Sequence, residues 1–111
     1  MKQSMIVVKN IGTFPENMKT IEAIARQSAK YLLDLFEGDG TDVFLMVFMM
    51  AKLCMERNMM MIYLKILRYC RHNNHELPEH YNDVAANEEA FAFYSKQLLY
   101  YLVDLWGDRI R

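Results

Sequence analysis

Between Gly40 and Pro78 the chain contains neither glycine nor proline, and the next breaker after Pro78 is Gly107. Such uninterrupted stretches suit helices, because glycine and proline are the two residues that most often end them. The chain has 111 residues, of which only four are Gly and two Pro. That length fits one domain, and 53% apolar residues give it enough material for a core. The prediction is an all-α, compact four-helix bundle, or a five-helix one, preceded by an extended arm over residues 1–12. The whole of 1–111 reads as a single helical domain, with no internal repeat.

The helices are placed by periodicity and by their ends. Thr13-Phe14-Pro15-Glu16 reads as a capping box with proline in the first turn. Met18, Ile21, Ile24, Ala25, Ser28, Tyr31, Leu32, Leu35 and Phe36 then share one side of a helix over 14–37. Gly38 is the expected left-handed stop. A second helix over 42–57 starts at Thr41 or Asp42. It is apolar nearly all round, which predicts a central core helix.

No breaker separates this helix from Met59–Cys70. However, Lys52 and Glu56 project on one side while Lys65, Arg68 and His72 project on the opposite one. A straight helix with one buried stripe does not swap faces. The chain is therefore expected to turn near Glu56-Arg57-Asn58 and to continue as a third helix over 59–72. Residues 71–83 form the polar loop, with at most a turn after Pro78. Asn82 or Asn87 caps a last helix over 84–106, and Gly107 stops it. In the arm, Met5–Val8 favours a short strand.

With 13 basic and 14 acidic residues the chain is neither a histone-like binder nor an acidic mimic of nucleic acid. The apolar run Val43–Met55 is too short to span a bilayer, which takes about 20 residues. The apolar run near the start is shorter than a secretory core, so no leader is expected. Cys54 and Cys70 sit in helical patterns and read as buried free thiols, with one bridge between helices as the alternative. A reducing, cytoplasmic setting follows, and no membrane partner.

The last helix carries the main functional expectation. Phe91, Tyr94, Leu98, Tyr101, Leu102, Leu105 and Trp106 make a wide buried side. Phe93, Lys96, Tyr100 and Val103 line a second strip at three- and four-residue steps. A small chain has plentiful surface and can hardly surround a helix, so this strip is the candidate site for a protein partner or for a homodimer. Met46, Met49, Met50, Met55, Met59, Met60 and Met61 crowd one region. Burial preference assigns them to a loosely specified core first, and to an adaptable docking surface second.

Other clusters give weaker alternatives. Cys70, His72, His75 and His80 could close a zinc site, but their spacing is unusual and no second ligand pair stands elsewhere. Arg68 and Arg71 could meet phosphate with Tyr69 stacked on a base, although cations near a helix C-terminus need no ligand. Arg68 and His75, with six residues between them, resemble the loose Arg-x(4–6)-His signature of the HEPN ribonucleases. Those are all-helical bundles of similar size in which the pair acts on RNA, usually across a dimer. The resemblance implies His75 as general acid/base and Arg68 against developing phosphate charge. Tyr69 stands where that family usually has a polar residue. No phosphate loop, zinc-protease motif or nucleophile elbow is present. The chain is thus expected to be a small non-enzymatic adaptor or inhibitor without a cofactor, similar in size and plainness to small proteins of phages and mobile elements.

Overall fold

The computed structural model describes residues 17–40 and 42–111, and every regular element among them is a helix. The expected arm, its Met5–Val8 strand and the Thr13–Glu16 capping box lie outside the described residues. Five helices follow: α1 (Met18–Gly38), α2 (Val43–Glu56), α3 (Met59–Asn73), the short α4 (Tyr81–Ala85) and α5 (Glu88–Arg109). No helix is long and apolar enough to cross a membrane among the described residues.

The core is built on α1 and α5, which share the most extensive contact in the molecule. Ile21, Ile24, Ala25, Ser28, Ala29, Leu32, Leu33, Leu35 and Phe36 of α1 are buried. They meet Ala90, Phe91, Tyr94, Ser95, Leu98 and Leu102 of α5 within one continuous core. The small residues at the middle of α1 leave room for Tyr94, whose side chain is fully enclosed. Its hydroxyl donates to Ser28 Oγ at 3.0 Å, and Ser28 in turn donates to the Ile24 carbonyl at 2.8 Å. A buried polar pair is tolerated when its groups satisfy each other in this way.

Helix ends follow side-chain chemistry. Asp42, Asn58 and Asn87 accept from Leu45 N, Met61 N and Ala90 N at 3.3, 3.2 and 3.0 Å, capping α2, α3 and α5. Glu88 and Glu89 lie in the first turn of α5 and Arg109 in its last, each matching the helix dipole. The expected turn near residue 57 is present. Arg57 adopts φ 53°, ψ 42°, and the Asn58 amide donates back to Leu53 O at 3.0 Å, a left-handed C-cap without glycine. The polar side of the pattern had to change over because the chain reverses its packing there.

Three end points differ from the sequence reading. Gly38 remains helical, and the left-handed glycine is Gly40, at φ 70°. Residues 84–85 belong to α4 rather than to the last helix, which begins at Glu88. Gly107 does not stop α5, because Arg109 draws the helix onward by pairing with Asp34 at 3.0 Å and Glu37 at 2.7 Å on α1.

The larger correction concerns α2. It is not a central core helix. Only Val47, Met50 and Cys54 are buried, a narrow stripe at three- and four-residue steps. Val43, Met46 and Leu53 flank that stripe half-buried against the core, and the remaining large side chains of α2 face outward.

Candidate interaction surface

The outer side of α2 carries Phe44, Leu45, Phe48, Met49 and Met55, all exposed. Phe44 is 61% exposed, Phe48 64% and Met55 70%. Their spacing places them along one side of a helix, opposite the Val47/Met50/Cys54 stripe. The same side holds two charges, Lys52 and Glu56, paired loosely at 4.0 Å. Past the Arg57 turn the chain goes on with Met59, Met60, Met61 and Leu64, again exposed. The methionines are therefore split. Met50 is core and Met46 half-buried, while Met49, Met55, Met59, Met60 and Met61 face outward. The expectation of a loosely specified methionine core fails for most of them.

The strip predicted on α5 is partly outward. Tyr100 and Val103 are exposed, at 60% and 54%, and so is Lys96, whereas Phe93 is half-buried against the core. One turn past Val103 stands Trp106, whose ring lies 5.4 Å from that of Phe44. This contact links the α5 strip to the outer side of α2. Phe44, Leu45, Phe48 and Met49 are hard to place from sequence because only Lys52 and Glu56 mark the exterior of an otherwise apolar helix. The size argument applied to α5 would have found them, since it holds equally for α2.

The remaining candidates come apart. Tyr69 is buried and cannot receive a base. Its ring stacks on Tyr31 at 4.6 Å, and His75 lies parallel to both at 5.8 Å. Burial, with Asp34 close by, raises the Tyr69 phenol above its ordinary value. Arg68 pairs with Asp39 at 3.1 Å. It lines an open groove of about 400 Å³ with Leu64, Leu67, Arg71 and His72. His75 does not line this groove. Seven residues along an unbroken helix would have put it on the face of Arg68, but α3 ends at Asn73 and Asn74 turns left-handed at φ 58°. Among the described residues, then, the grooves that hold Arg68 or adjoin His80 are not lined by both Arg68 and His75.

Zinc fares no better. Among the described residues no three His, Cys, Asp or Glu side chains gather to hold a metal, so Cys70, His72, His75 and His80 do not form a site. Cys70 is buried and donates to the Glu76 carbonyl at 3.6 Å. Both cysteines are free thiols, and burial pushes Cys54 up to about 12 and Cys70 in the same direction, which makes them poor nucleophiles.

His80 stands between Glu79, 3.7 Å from Nε2, and Asp83, 3.6 Å from Nδ1. Burial raises the Asp83 carboxyl, and the neighbouring His80 opposes that shift. The adjoining groove is lined by Thr20, Ala23, Ile24, Gln27, Tyr31, Leu77, Pro78, Glu79 and His80. Comparison with protein-family models, curated proteins and solved structures finds no match.

Proposed function

We propose that this protein is a small protein–protein interaction module of the adaptor or inhibitor type. It acts by burying the outer side of α2 and the start of α3 against another polypeptide. The observation that carries this reading is the row Phe44, Leu45, Phe48, Met49 and Met55, exposed on a helix whose opposite side is core. Aromatic residues and methionine are enriched at protein interfaces, and this row fits that trend, with Lys52 and Glu56 as the charges on the same side. Exposed apolar patches of such extent mark interaction sites. The mechanism is occlusion or scaffolding, with flexible methionines adapting to the partner's shape. The buried free thiols fit a reducing cytoplasmic setting.

The test is the double change Phe44→Asp plus Phe48→Asp. Both side chains are mostly exposed, so circular dichroism should show helicity retained. Chemical cross-linking in cells should show the loss of protein adducts formed by the unchanged chain. Unfolding of the double variant would mean that this side is core, and the reading would fall.

A further inference from the structure

We infer that the polypeptide covering this surface is a second copy of the chain, with α2 packed antiparallel on α2 across a two-fold axis. The inference rests on the interaction reading above and names its partner.

Area supports it. Phe44, Leu45, Phe48, Met49, Met55, Met59, Met60, Met61 and Leu64 are each 40% to 70% exposed. At roughly 100 Å² of exposed side chain each, the five on α2 supply about 500 Å², and those residues at the start of α3 that share its face bring this toward the ~800 Å² per partner of a standard stable interface. Composition supports it as well, because homodimer interfaces are the more apolar kind.

Charge fixes the direction. A two-fold contact needs a surface complementary to itself. Asp42 precedes α2 at one end. Lys52 lies toward the other, and Arg57 follows α2 with no ion pair among the described residues. An antiparallel copy with the axis beside Phe48 sets that ring against its counterpart. It brings the partner's Lys52 over Phe44, where a cation meets an aromatic face. Asp42 then lies within about one helical turn of the same lysine and within reach of the partner's Arg57; the partner's Glu56, paired to that lysine, comes as near, so two cations and one acid face Asp42. A parallel copy would instead oppose Asp42 to Asp42 and Lys52 to Lys52. The antiparallel arrangement also sets the two helix dipoles head to tail.

The experiment is light scattering after size exclusion on the full chain, from about 1 to about 100 µM, a range that brackets micromolar association. The unchanged chain should be dimeric with a Kd below about 10 µM. Phe48→Asp should be a folded monomer by circular dichroism, and Lys52→Glu should weaken association at least about tenfold, a modest change for one interfacial charge. A monomeric unchanged chain overturns the inference. So does a dimer indifferent to both substitutions. Binding of the fluorophore ANS separates this failure from that of the interaction reading. A monomer that binds the dye through Phe44 and Phe48 keeps the surface for a different protein. A monomer that does not bind it has the surface covered by its own chain, and both readings fail.

Discussion

The α1–α5 seam and the α2–α3 hairpin are both rich in large apolar side chains, yet they use them differently. In the seam each large residue meets another, and even its polar groups are matched, as Tyr94 is with Ser28. In the hairpin the inward stripe is narrow, and the residues with most apolar area point away from it. The seam stabilises the fold through tight packing and loses heavily when a side chain is shortened. The hairpin contributes little with its outer side, because among the described residues little covers it. Apolar content alone therefore does not separate a core from a docking surface. What separates them is the polar side that stands opposite, which is broad on α1 and on α2 is reduced to Lys52 and Glu56 among exposed Phe and Met.

The sharpest test of this contrast is truncation on each side. Tyr94→Ala should cost about 3–5 kcal/mol in urea unfolding, as large cavities in cores do. Phe48→Ala should stay within about 0.5 kcal/mol at concentrations where the chain is monomeric. Equal costs would erase the distinction.

Alkaline unfolding probes the seam, through Tyr94, and the core around it, through Tyr81 of α4 and Cys54 of α2, without mutation. Burial raises Tyr94 and Tyr81 well above ordinary phenols and Cys54 to about 12. The folded state thus holds these protons more tightly than the unfolded one. The stability they contribute is fully present below the unfolded pKa of Cys54, about 9, and is lost progressively as pH rises from there toward the folded values. The thermal midpoint should fall steeply above about pH 9–10, where unfolded cysteine and tyrosine ionise. A flat profile would mean that water reaches the seam.

Smaller effects bear on the last turns of α5. Gly107 is helical, and an added Cβ there meets nothing within 4 Å, so Gly107→Ala should raise stability by about 0.5–1 kcal/mol in the same assay. Arg109→Ala should lower it by at most about 1 kcal/mol, less at high salt, since its two ion pairs lie near the surface.

Much of the fold was legible because the relevant signals are local. Asn87 and Asp42 cap helices through their own side chains, and α1 alternates apolar and charged residues at helical steps. The turn at Arg57 was legible without any breaker, from the side on which Lys52 and Lys65 project. The end of α5 was not legible, because what carries it past Gly107 is a contact with Asp34 and Glu37, more than seventy residues away in sequence. The exposure of α2 was hidden for a related reason. Periodicity reports which residues are apolar, and only the count of neighbouring elements decides how many sides they can bury. The exposure of Tyr100 and Val103 was legible from size reasoning, while that of Phe44 and Phe48 was not, because their helix reads as core throughout.

The outward methionines have a chemical consequence. A thioether open to solvent is oxidised to a polar sulfoxide far more readily than one enclosed in packing. Met49, Met55, Met59, Met60 and Met61 are open, and Met50 is enclosed. Mild peroxide would therefore wet the outer surface of the hairpin before it touched the fold, and methionine sulfoxide reductases could restore it. The molecule's outward apolar side is also its oxidation-prone side, and its skeleton is not.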